Sequence, residues 1–270
     1  MRDGVWRRQA GMRRRCHLAG AVGPVLAGLV LLGATLGSAG AGEGDCAAGA
    51  GARESVRVEA VMPDGTLRLA DGRQVMLAGV HVSGEAESQL VGKPLEIAPL
   101  GQADRWGRRT VLGWSGEGEA LVQQSLVSEG LAAVWGEGVP DGCAEALLTA
   151  ESAARAQRNG LWGGFAAGAG LRFTAARPEV LQSRAGRFAI VEGRVESLGK
   201  TRDTRYLNFG RHWATDFTVT FNSSIEGQLA AAGFDLARID GSRVRVRGVV
   251  LMKNGPHIEV TDPAQIEWAD

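Results

Sequence analysis

Residues 75–84 read Val75-Met76-Leu77-Ala78-Gly79-Val80-His81-Val82-Ser83-Gly84, and the sequence around them decides the fold. Upstream, residues 56–61 alternate apolar and polar, Asp64-Gly65 marks a turn, and Thr66-Leu67-Arg68-Leu69 resumes the alternation. Asp71-Gly72 turns again into residues 74–80. Two Asp-Gly turns between alternating runs predict a three-stranded meander. Downstream, residues 93–100 read as a fourth strand and 110–114 as a fifth. A helix is expected over 119–128, with Leu121, Val122, Ser125 and Leu126 at helical spacing and Gly130 closing it. A second helix over about 144–158 carries Leu147, Leu148, Ala150 and Ala154 at three- and four-residue steps. Five strands with helices packed against them predict a mainly β domain, an OB-type barrel, over residues 54–164.

A second β-rich unit is expected from residue 187 to 270, after a linker or peripheral segment over 165–186. Residues 188–195 read as one strand, residues 206–209 and 217–221 as two more, and residues 225–232 as a short helix. Residues 243–250 alternate strictly, and Asn254-Gly255 turns them into 257–260. About five strands with a helix before the fourth predict a second small OB-like barrel.

The formal charge is zero, from 30 basic and 30 acidic residues, but the ends differ. Residues 1–41 hold six arginines and one acid, so the remainder has 24 basic and 29 acidic residues, a net of −5. That balance excludes a grip on nucleic acid by net charge alone. Arginines up to Arg15, an apolar run over 18–36 and Ala39-Gly40-Ala41 together read as an export signal over 1–41. The apolar run is close to the roughly 20 residues that span a bilayer, so an uncleaved membrane anchor is the alternative. Residues 42–53, rich in Gly and Ala, read as a flexible leader. Cleavage would leave Cys46 and Cys143, an even pair in an oxidising periplasmic or secreted setting, and a disulfide between them is expected.

Several pieces of the first unit combine. They are Asp64-Gly65-Thr66-Leu67, Val75–Val80, Asp104-Arg105-Trp106-Gly107-Arg108, Leu121-Val122 through Gly130-Leu131-Ala132, and Ala150-Glu151 through Gly160-Leu161-Trp162. In order and spacing this resembles the staphylococcal nuclease (thermonuclease) family. The resemblance implies calcium-dependent cleavage of DNA and RNA. That chemistry needs a cation held by carboxylates, a carboxylate beside the attacking water, and two arginines that balance the transition-state charge.

Position by position, the residues depart from that set. The family's first calcium aspartate falls on Gly65, its first catalytic arginine on Met76, its second calcium aspartate on His81, and its catalytic glutamate on Gly84. Arg108 alone matches, as the second arginine. Loss of one preorganised charged contact commonly costs a factor of about 100 to 1000 in rate. The departures therefore predict a degraded site that needs no cofactor. The alternative is a divergent phosphodiesterase whose calcium site is rebuilt from Asp64, Glu85 and Glu87, with His81 as a further substitute. In the second unit, residues 165–270 carry 14 basic and 12 acidic residues, against 9 and 15 over 54–164. Arg243, Arg245 and Arg247 on one strand face, and Tyr206 and Trp213 on one hairpin near Lys200, Arg202, Arg205 and Arg211, are the candidates for stacking and tracking single-stranded nucleic acid. The other reading of these residues is a hydrophobic core with a solvated charged face, which leaves an unidentified protein as partner; a membrane enters only if the N-terminal segment stays attached.

Overall fold

Gly65 and Gly72, the second residues of the two Asp-Gly turns, hold φ of +82° and +85°, a left-handed backbone that glycine adopts at no steric cost. They fold back a meander of β1 (Glu54–Val61), β2 (Leu67–Leu69) and β3 (Gln74–Leu77), paired antiparallel in sequence. The computed structural model describes Cys46 and residues 50–115, 120–139, 141–163, 170–212 and 214–269. The expected export signal, residues 1–41, and Trp213 lie outside the described residues.

After β3 the chain does not continue as one strand to residue 80. It turns at Ala78-Gly79 and starts β4 (Val80–Val82). Gly79 has φ +73°, and a Cβ there would meet the Val139 side chain at 2.9 Å. Helix α1 (Glu87–Leu90), β5 (Pro94–Leu100) and β6 (Arg109–Ser115) follow. The sheet closes into a barrel of order β1-β2-β3-β6-β5, with β3 and β6 parallel. Helix α2 (Val122–Ser128), β7 (Ala132–Val134) and α3 (Asp141–Gln157) complete this half. β7 pairs with β4, setting His81 opposite Ala133. Gln123 on α2 is buried against the barrel wall. It donates to the Val111 carbonyl at 3.2 Å and accepts from the Gly113 amide at 3.1 Å, so its polarity is satisfied where burial would otherwise penalise it. Cys46 and Cys143 form the expected disulfide, tying the leader to the first turn of α3.

The segment expected as a linker, 165–186, carries structure in its described part. β8 (Arg172–Thr174) pairs parallel with β9 (Phe188–Arg194), and helix α4 (Pro178–Gln182) buries Leu181. Three residues are too few to show an alternating pattern, and the pairing edge comes from β9, so the strand left no local signature. The rest runs β10 (Ser197–Lys200), β11 (Thr204–Asn208), β12 (Thr218–Asn222), helix α5 (Glu226–Ala231), β13 (Arg243–Val249), β14 (Leu251–Met252), β15 (Pro256–Val260) and β16 (Ile266–Trp268). These lie in two sheets, β10-β11-β12-β15-β14 and β16-β13-β9-β8. The chain crosses between the sheets from β9 to β10 and from β13 to β14. Counting each crossing chain as one strand, the pairing order is that of the first barrel, again with the third and fifth strands parallel.

The two halves share an apolar seam of Ala133, Ala154, Leu161, Trp162, Phe188 and Ile190. Beside it lies a buried ion network. Glu151 on α3, with no exposed surface, accepts from the Val134 amide at 2.7 Å and from Arg247 Nη1 at 2.7 and 2.9 Å. Glu267 takes Arg155 at 3.0 Å, Arg245 at 3.1 Å, and Arg247. Burial alone would raise the Glu267 carboxyl, but Arg247, Arg155 and Arg245 outweigh it and hold its pKa below the ordinary value.

Candidate functional site

A cleft of about 350 Å³ opens at one end of the first barrel, lined in part by Asp64, Met76, His81, Asp104, Arg108 and Glu137. The β1–β2 turn supplies Asp64, β3 supplies Met76, β4 supplies His81, and the loop before β6 supplies Asp104 and Arg108. Of the positions singled out in the sequence, Asp64, Gly65, Met76, His81 and Arg108 come together here, whereas Gly84 and Glu85 line a second cavity and Glu87 lines neither.

His81 fills the centre. Its side chain is buried and stacks on Phe188 with ring centroids 4.3 Å apart and planes 10° from parallel. Burial pushes its pKa down to about 4; Asp64 opposes this and Arg184 adds to it. His81 is therefore a neutral ring near pH 7. A Cβ placed on Gly65 would sit 2.9 Å from His81 Nδ1. The two departures are thus one arrangement, in which the histidine ring occupies the space that a side chain at residue 65 would need.

Arg108 lies between two carboxylates. It donates from Nε to Asp104 at 2.8 Å and from Nη1 to Asp64 at 3.3 Å. Asp104 also accepts the amides of Trp106 and Arg108, both at 2.9 Å. Burial would raise the Asp104 carboxyl, but these bonds outweigh it and hold its pKa below the ordinary carboxylate value. Trp106 projects into solvent, 65 % exposed, with the Arg105 guanidinium 3.9 Å and that of Arg108 4.9 Å from its ring centre.

Residues 79–164 match the family model described as staphylococcal nuclease homologue. The chain carries a staphylococcal-nuclease-type domain. No curated protein matches the chain.

Within that domain the donor set does not fit calcium. A calcium ion takes about six to eight oxygen ligands, whereas Asp64 and Asp104 both face Arg108 and His81 contributes ring nitrogen. Glu85 and Glu87 are exposed, Glu87 in the first turn of α1. Among the described residues no three His, Cys, Asp or Glu side chains group so as to hold a metal ion.

The second unit corrects the surface expected on β13. Arg243 is exposed, but Arg245 is bound to Glu192 at 2.9 Å and to Glu267, and Arg247 has no exposed surface. That strand face is turned onto α3, where Glu151 takes Arg247, while Glu192 on β9 and Glu267 on β16 take Arg245. Tyr206 is half-buried on β11, and the neighbouring Phe217 is fully buried, packed on Phe209 at 5.0 Å. What the sequence reading passed over is Trp106: it lies inside the motif that identified the fold, and nothing in that motif marks a ring as exposed. It also passed over Ser83, Arg184 and Arg187, which line a second cavity behind His81.

Proposed function

We propose that this is an exported protein of nuclease descent that binds single-stranded nucleic acid without cutting it. The observation that carries the reading is His81, stacked on Phe188 and seated over Gly65, where a metal-binding carboxylate would have to stand. Arg108, the retained arginine, has two carboxylates on its guanidinium and so has its charge compensated in the resting protein. Cleavage would need a cation to polarise the phosphate, and the reading is supported by Asp64 and Asp104 being turned onto Arg108 rather than left open to a metal.

Binding is supported by Trp106. An exposed ring with the Arg105 guanidinium beside it combines an aromatic face with a phosphate donor, the pairing that non-specific strand binders use. Export is supported by the pattern of residues 1–41 and by the Cys46–Cys143 disulfide, since such bonds persist in oxidising compartments. A gel shift with single-stranded DNA in EDTA tests the binding. The expected result is a salt-sensitive complex that Trp106→Ala weakens on the order of tenfold, as loss of one stacked base implies. No complex at low salt, or one indifferent to Trp106, would leave a protein partner instead. Mass analysis of exported material would show whether the first 41 residues are removed.

A further inference from the structure

His81 is a wall shared by two cavities. On its other side lies a space of about 330 Å³, lined in part by Pro63, Ser83, Glu85, Leu171, Arg184 and Arg187. Its size falls in the range of small-molecule sites, about 300–1,000 Å³. Pro63, Ser83 and Glu85 come from the nuclease-type domain. Arg184 and Arg187 come from the turn between α4 and β9, whose backbone is pinned by bonds from the Arg184 amide to Leu181, from Arg187 to Arg184, and from Val250 to Arg187.

Two buried polar atoms in this cavity lack hydrogen-bond partners, although the Arg184 guanidinium also lies 5.3 Å from the Phe173 ring centre. Ser83 is 2 % exposed, and its hydroxyl oxygen is buried with no hydrogen-bond partner. The Arg184 Nε is likewise buried and unpartnered. Among the described residues neither Arg184 nor Arg187 has a carboxylate within ion-pair distance. The arginines instead oppose each other: burial first, and Arg187 second, lower the Arg184 pKa. Buried polar groups are ordinarily bonded, so the unbonded Ser83 hydroxyl and Arg184 Nε are a standing cost that an anion held beside Arg184 and Arg187 would relieve.

We propose that this cavity binds a phosphomonoester group, with Arg184 and Arg187 taking its oxygens and Ser83 donating its hydroxyl. A phosphomonoester carries a charge of about −1.5 to −2 near pH 7, which two guanidiniums match and a carboxylate does not. Arginine presents paired N–H donors suited to phosphate oxygens. Glu85 at the rim opposes the anion but leaves the cavity net positive, and the volume leaves room for a sugar behind the phosphate. This site is separate from the barrel cleft and does not depend on whether the barrel cleaves.

Calorimetric titration of the purified protein in EDTA tests it, using inorganic phosphate and a short oligothymidylate with and without a 5′-phosphate. Saturable phosphate binding is expected. Arg187→Gln, at an exposed position that leaves the fold intact, should weaken it on the order of tenfold, the value of a hydrogen bond to a charged group. Ser83→Ala should weaken phosphate binding without lowering the melting temperature, and Glu85→Gln should tighten it. If the 5′-phosphorylated strand outbinds its unphosphorylated twin and Arg187→Gln erases the difference, the ligand is a strand end. If only free phosphate binds, it is a small phosphate ester. No phosphate binding at millimolar concentration, or binding unchanged by both Arg187→Gln and Ser83→Ala, overturns the proposal. Each outcome is read without cleavage, so failure here leaves the account of the barrel standing.

Discussion

At the scale of single residues, His81 and Gly65 constrain each other. Restoring an aspartate alone, by Gly65→Asp, should not restore a calcium site. The new side chain meets the histidine ring and must hold a φ of +82°, a strain of about 1–3 kcal/mol. The expected result is a lower urea midpoint and no calcium heat. His81 also sets a pH dependence. Its neutral form is the folded form, so the unfolded chain takes up the proton first as pH falls below 6.5, and the folded protein only near 4. Stability should be full above pH 6.5 and fall by about 3 kcal/mol on acidification to 4. His81→Phe keeps a ring against Phe188 and should flatten that part of the slope between pH 7.5 and 4.5. His257, whose pKa burial also lowers, contributes equally to both proteins. An unchanged slope would contradict the burial assigned to His81. The departures at Met76, His81 and Gly84 were legible in the sequence because the resemblance to the nuclease family aligns those positions with its catalytic set. The stack on Phe188 was not, because it joins β4 to the start of β9 in the other half of the chain, and periodicity carries no information about such pairs.

At the scale of elements, alternation along β13 was read correctly as a strand with its arginines on one face, but alternation cannot say what that face meets. It meets α3, and Glu151 makes Arg247 an internal cation. Removing one member of a buried pair costs about 3–5 kcal/mol when the other charge is left uncompensated, and because Arg155 still reaches Glu151 at 2.7 Å the loss here falls at the lower end of that range. Arg247→Met should show that loss in urea melts. Arg247→Met with Glu151→Gln should recover part of it, because the amide oxygen can still accept from Val134. A single variant as stable as wild type would mean that the network holds no stability. Strand β8 shows the complementary limit: its pairing is long-range and its length too short for a pattern, so the sequence offered only a linker. The longer helices and the Asp-Gly hairpins, specified by local turn and capping chemistry, were placed within a few residues.

At the scale of the molecule, two similarly ordered β units share one seam, and the disulfide anchors the leader across a sequence separation of 97 residues. Closing so long a loop restricts the unfolded chain, worth about 2–4 kcal/mol in typical proteins. Cys143→Ser should lower the melting temperature accordingly, with unchanged melting contradicting a stabilising bridge. The central claim concerns the nuclease-type cleft, in which a neutral histidine and a compensated arginine stand where a metal and its ligands would work. Its most direct test is incubation of purified protein with labelled single-stranded DNA in millimolar calcium, beside an EDTA control and an Arg108→Ala variant. The account predicts no cleavage above the EDTA control. Calcium-dependent cleavage that Arg108→Ala abolishes would contradict it.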